Sequence, residues 1–207
     1  MLSQGISAIL HQRGSLLLHS NAVSYNGKAV LFAGNSGAGK STISAEFIKN
    51  GFDLISDDIC VMIPDENKEY KLETGLGELK LWQDSMAILK EKNYLQEKIR
   101  PELEKFRILL NQNNDDKIYD ILRIYNINTN SLRPFEINHT KDIQKIRILK
   151  NITYRKNLVG MIGDSVKHFF HITNLAKQVD IRNINRPREK SDSSELFNLI
   201  IKDLENA

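Results

Sequence analysis

One cysteine, Cys60, in 207 residues excludes an intramolecular disulfide framework and a cysteine-based zinc ribbon. No run of about 18 apolar residues occurs, so no span across a bilayer is expected. The first residues, Met1-Leu2-Ser3-Gln4-Gly5, lack a charged region followed by an apolar one, and no secretory signal is read there. Charge of one sign is scarce too. The 29 basic residues against 26 acidic ones leave a net charge of +3, too little to indicate nucleic acid or a membrane surface as a partner. A cytoplasmic location is the default expectation. Internal repeats and low-complexity tracts are absent. What is present is ordinary globular material: 41% hydrophobic and 27% charged residues, in a chain long enough for one substantial core.

Along the chain, residues 4 to 33 read as β-rich. Asn26-Gly27 is a type I′ hairpin signal, and Lys28 to Ala33 is a short apolar run typical of a buried strand. Thr42 to Asn50 reads as a helix stopped by Gly51. Asp53 to Ile63 reads as strand, acidic turn, strand, and Glu69 to Leu72 as a return strand. Asp84 to Lys92 reads as a helix with Asp84 as N-cap. Residues 93 to 117 are charged and Asn-rich, and a mobile or irregular segment is expected there, with residues 89 to 107 including a solvated helix face. Ile118 to Ile127 reads as a strand. Helices follow at about residues 139–150, 153–160 and 164–178, then a strand at Val179–Ile184 and a terminal helix at Ser193–Glu205.

Between the buried strand and the first helix lies Gly34-Asn35-Ser36-Gly37-Ala38-Gly39-Lys40-Ser41. It is a full match to G-x-x-x-x-G-K-[ST]. Glycines let consecutive backbone N–H groups turn toward phosphate oxygens, and the helix behind adds its positive end. Lys40 then reaches the β- and γ-phosphates, and the Ser41 hydroxyl ligates Mg2+. Seventeen residues after Lys40 comes Asp57-Asp58, at the end of the next strand. Two carboxylates at a strand's carboxyl end sit where open α/β sheets bind ligands. One can hold Mg2+ while the other accepts a proton from an attacking hydroxyl. Asp-Asp is also a common turn pair, but the neighbouring phosphate loop favours the chemical reading.

In order and spacing, His19-Ser20-Asn21-Ala22-Val23, Gly27 to Phe32, Gly34 to Ser41 and Gly51 to Asp58 resemble the catalytic domain of HPr kinase/phosphorylase. The likeness runs without a gap from about residue 15 to 63. Its short lysine-to-Asp-Asp interval is shared with phosphoenolpyruvate carboxykinase. The resemblance implies an α/β fold with a P-loop core and a mixed sheet with packed helices. Residues 1–207 would be one catalytic domain: core at about 4–85, the irregular segment, then a helical remainder with the last strand at 118–207. It implies ATP and Mg2+ as cofactors, with Gly34, Asn35, Ser36, Gly37, Ala38, Gly39, Lys40, Ser41 and Thr42 around the nucleotide. Asp57 would be the general base, Asp58 with Ser41 the metal ligands (the two aspartates' roles being exchangeable), and His19 would sit near the transferred phosphate. A homo-oligomer is implied as well.

Departures redirect the substrate. Asn35 and Thr42 stand where the family has acidic residues, and Glu73-Thr74-Gly75-Leu76-Gly77 echoes a family signature without its arginine. These speak against the phosphorylase half-reaction and against HPr itself. Ser36 to Thr42, Ile55 to Asp58, Leu79-Lys80-Leu81-Trp82-Gln83-Asp84 and Thr153-Tyr154-Arg155 instead resemble the branch that phosphorylates serine in lasso peptides. The expected activity is ATP-dependent phosphoryl transfer to a serine hydroxyl on a protein or peptide. The alternatives are a metabolite kinase or NTPase, and a non-catalytic nucleotide-binding regulator. A GTPase is disfavoured by the absence of N-K-x-D.

Arg155 is either a cation for developing phosphoryl charge or an ordinary ion-pair partner. Trp82, the only tryptophan, reads as a packing anchor between the sheet and the later helices. His168 and His171 share a helix face and read as plain histidines. Arg186-Pro187-Arg188 follows the last strand and is a candidate for contact with the nucleotide base.

Overall fold

The computed structural model describes residues 2–75, 77–89, 94–110, 117–131, 135–162, 164–187 and 192–206. In chain order the elements begin with α1 (Leu2–Gln12), β1 (Leu16–Leu18), β2 (Ser20–Tyr25), β3 (Lys28–Gly34), α2 (Lys40–Lys49), β4 (Leu54–Ser56), β5 (Cys60–Pro64) and β6 (Tyr70–Glu73). Next come β7 (Glu78–Trp82), α3 (Gln83–Met86), β8 (Leu95–Lys98), β9 (Lys105–Leu109), β10 (Ile118–Ser131) and β11 (Glu136–His139). The chain finishes with α4 (Asp142–Ile152), α5 (Lys156–Ile162), α6 (Ser165–Gln178), β12 (Asp180–Pro187) and α7 (Ser193–Glu205).

β3 is central because both its faces are apolar. Ala29, Leu31 and Ala33 enter one core, and Val30 and Phe32 enter the other. A strand buried on both sides needs helices on both sides. α2 and α7 cover one face, while α4 and α6 cover the opposite one. β2 returns alongside β3 through Asn26 and Gly27, whose φ values of 49° and 75° are those of the expected type I′ turn. β10 runs parallel to β3, and β12 runs parallel to β10. β4 lies antiparallel to β2, so β3, β4, β10 and β12 all end at the same edge of the sheet. The first residues of β10 pair with β6, which joins β5 and β1 and completes a mixed nine-stranded sheet. A separate three-stranded antiparallel sheet, β7-β9-β8, packs Leu79, Leu81 and Ile108 against the α2 side.

The mixed α/β fold agrees with the sequence reading. So do β2 to β6 and α2, and so do the later helices. Three local expectations are corrected. Residues 4–12 belong to helix α1, not to a strand. The buried side of α1 is made by Ser7 and His11, while Ile6 and Ile9 face outward, so its apolar periodicity points away from the protein. Residues 95–98 and 105–109 are strands rather than irregular chain or a helix face, and β9 buries Ile108. Asp84 lies in the first turn of α3 but does not cap it. Trp82 is the cap residue, and no side chain bonds the free N–H groups. Leu76, Arg188, residues 90–93 and residues 111–116 lie outside the described residues.

Candidate active site

At the common edge of the parallel strands, the loop after β3 curls back to the start of α2. Gly39 has φ 99°, a left-handed backbone that selects glycine, and a Cβ there would displace the Arg186 guanidinium. Lys40 Nζ donates to the carbonyls of Gly34 (2.9 Å) and Asn35 (3.3 Å), which hold the lysine across its own loop. Burial lowers the pKa of Lys40, and the nearby Asp58 and Asp57 charges oppose that shift.

A cleft of about 130 Å3 opens over this loop. Ser36, Gly37, Gly39, Lys40, Ser41 and Thr42 form one wall, with His19, Asn21, Asp57, Asp58, Trp82 and Lys105 facing them. The structure therefore brings Lys40, Ser41, Asp57, Asp58 and His19 into one space, although they come from three separate stretches of chain.

The two aspartates occupy opposite environments. Burial pushes the Asp57 carboxyl up to about 6, with Lys80 offsetting part of the rise. Its Oδ2 accepts the backbone N–H of Lys80 at 3.0 Å. Asp58 is held below its ordinary range chiefly by a hydrogen bond from His19, whose Nε2 lies 3.3 Å from Oδ1. Lys80 Nζ adds its charge from 4.0 Å. Asp58 has φ 72°, a left-handed backbone that is uncommon outside glycine and tends to mark functional sites. Its N–H bonds Asn21 Oδ1 at 3.3 Å, and Asn21 Nδ2 bonds Ser41 Oγ at 3.4 Å. Asn21 thus ties the phosphate loop to the acidic turn.

A second cavity, about 360 Å3, adjoins the first through Gly39 and Thr42. Ile43, Asp84, Ser85, Ile88, Phe135, Arg186, Ser193 and Leu196 complete it. Arg186 Nη1 donates to Ala38 O at 3.0 Å, and its buried Nε has no hydrogen-bond partner among the described residues.

Arg155 is displaced from this centre. Its guanidinium lies 5.3 Å from the centroid of the Tyr154 ring, which meets His19 edge-on, and Arg155 is not among the residues lining either cavity. His168 and His171 lie on the other side of the sheet, beside His11. They bond Thr153 Oγ1 and Tyr70 OH respectively. Trp82 is corrected: it is 52% exposed at the cleft mouth instead of packed between layers. Sequence reading missed Lys105, the linking role of Asn21, and Lys80. The Leu79-Lys80-Leu81-Trp82 segment was the available signal for Lys80.

Fold and loop together define a mixed α/β protein of the P-loop class. Residues 2–121, more than half of the chain, match the family described as SynChlorMet cassette protein ScmC, and the chain belongs to that family. No curated protein matches. Among solved structures it is similar to the Hpr(Ser) kinase/phosphatase from Coxiella burnetii, at 12% identity and a TM-score of 0.47, over 92% of this chain and 88% of that one.

Proposed function

We propose that this protein is an ATP-dependent kinase that transfers the γ-phosphoryl group to a hydroxyl, serine first, on a small protein or peptide. The observation that carries this reading is the pairing of Lys40 and Ser41 with two adjacent carboxylates held in opposite electrostatic environments. The triphosphate would lie along residues 34–41 in the smaller cleft. Its nucleoside would extend past Gly39 into the larger cavity, between Phe135 and Arg186.

The donor set fits a hard cation. Ser41 Oγ and the ionised Asp58 carboxylate are oxygens on facing walls of one cleft. Among the described residues no group of three or more His, Cys, Asp or Glu could hold a metal by itself. That suits Mg2+, which binds through one or two protein oxygens plus substrate phosphates. When bound, Mg2+ supplies neutralisation of phosphate charge. Lys40 exchanges its loop carbonyls for phosphate oxygens. His19 keeps Asp58 ionised and oriented. Asp57 is ionised at neutral pH yet basic enough to accept a proton. The acceptor oxygen bonds the γ-phosphorus as the bond to the β–γ bridging oxygen breaks, ADP leaves with that electron pair, and Asp57 takes the hydroxyl proton.

The test is γ-labelled ATP with Mg2+ and lysate as acceptor, for wild type and Lys40→Ala. Label on a protein or peptide, lost with Lys40→Ala, is the expected result. Label confined to a small molecule or to free phosphate would assign a metabolite kinase or an NTPase instead.

A further inference from the structure

Lys105 comes from a stretch that carries no recognisable motif, yet the small sheet delivers it to the phosphate cleft. It opens β9 and stands directly opposite Trp82, the last residue of β7. Cross-strand partners project to the same face. Its Nζ lies 5.6 Å from the centroid of the Trp82 ring, within cation–π range. Both side chains line the cleft that holds Lys40, Ser41 and the aspartates. The neighbouring carboxylate, Glu104, is engaged with Lys98 at 2.8 Å, and among the described residues no carboxylate lies within 4.0 Å of Lys105 Nζ.

Two ammonium groups therefore share one small cleft. Burial is the main reason Lys40 loses proton affinity, and the charge of Lys105 adds to that loss. Repulsion between two cations becomes a double attraction once an anion lies between them. The position along the anion follows from the fold. Lys40 approaches from the loop, the side that serves the β- and γ-phosphates. Lys105 approaches from the sheet whose Lys80 N–H holds Asp57, and that is the end where the acceptor hydroxyl must arrive.

We propose that Lys105 is a second phosphate-binding cation of this site, gripping the terminal phosphoryl group of the nucleoside triphosphate from the acceptor side, with Trp82 holding its ammonium in place. The proposal rests on the kinase reading above. It makes Lys105 a catalytic residue, because the ammonium touches the group in transfer. It also assigns the β7-β9-β8 sheet a purpose: supporting the base through Lys80 and the phosphoryl group through Lys105.

Mg-ATP and Mg-ADP affinities, measured by calorimetry on wild type, Lys105→Met and Lys105→Arg, test it. Emission from Trp82, the only tryptophan, reports locally on occupation of the cleft. Wild type should favour ATP. Lys105→Met should lose about tenfold in ATP affinity while ADP affinity stays within about twofold, and Lys105→Arg should recover most of the difference. Intact ADP binding shows that the variant is folded. An unchanged ATP-to-ADP ratio in Lys105→Met overturns the proposal, whether the two affinities hold or fall together. If wild type binds neither nucleotide, or Lys40→Ala binds both normally, the failure belongs to the kinase reading itself.

Discussion

A carboxylate's chemistry is decided by its surroundings, and Asp57 and Asp58 are adjacent residues with opposite surroundings. Asp57 is half-buried, its carboxyl bonded by one backbone N–H, while Asp58 is bonded by His19 and faces Lys80. Asp57→Asn keeps the shape and the contact with Lys80 N but removes the proton acceptor. It should bind Mg-ATP as wild type does and transfer phosphate roughly 10²- to 10⁴-fold more slowly, in single-turnover measurements. Transfer at the wild-type rate would remove Asp57 from the base role. At this scale most of the cleft was legible, because the loop, the aspartate pair and His19 fall on short contiguous motifs. Lys105 was not legible. Its place depends on a cross-strand partner 23 positions earlier, and no local pattern records that pairing. Trp82 was misread for a related reason: an exposed aromatic at a site and a buried one look alike in sequence.

Among the elements, α7 is fastened by charge as well as by its apolar stripe. Asp203 accepts from Arg123 Nη1 at 2.7 Å, from Tyr125 OH at 2.6 Å and from Arg182 Nη1 at 3.2 Å, so β10, β12 and α7 meet on one carboxylate. The Arg123 side chain is only 6% exposed. Asp203→Ala would leave that buried guanidinium with Asp180 as its one remaining carboxylate, beside the backbone carbonyl of residue 203, at a cost of about 3 kcal/mol in urea unfolding. The comparison is Asp142→Ala, whose carboxylate is fully in water 3.9 Å from Lys145 and should shift stability by less than about 0.5 kcal/mol. Equal shifts would deny the network its role. The elements that sequence reading lost share a physical trait. α1 buries its polar residues, and every residue of β8 is exposed, so neither shows the hydrophobic rhythm that betrays an element.

For the whole molecule, the two faces of the sheet differ in what they titrate. On the face away from the cleft, His168 and His171 sit among His11, Asp164, Lys167 and the Tyr70 hydroxyl. Burial lowers both histidine pKa values. The charges of His11 and His171 push His168 further down, and Lys167 does the same to His171. Both take up a proton at lower pH in the folded chain than in the unfolded chain, whose histidines protonate near about 6.5, so these two sites lose stability as pH falls below about 6.5. Asp57 acts in the opposite sense. Its raised pKa lets the folded state take up a proton as pH falls through about 6. Subtracting the Tm-versus-pH curve of His168→Gln/His171→Gln from that of wild type isolates the histidines. The wild-type-minus-variant difference should fall from pH 7 toward pH 5, and a flat difference would show that they titrate alike folded and unfolded.

Cys60 lies wholly buried in β5, its thiol bonded to Ser20 O at 3.3 Å and pushed up to about 12 chiefly by burial. The thiolate that reacts with alkylating and disulfide reagents is therefore scarce and shielded while the chain is folded. The surface is left chemically blank toward such reagents. A cysteine introduced on an exposed strand such as β8 would be the one thiol to answer, and a dye or spin label could be placed beside the cleft without first removing the natural residue.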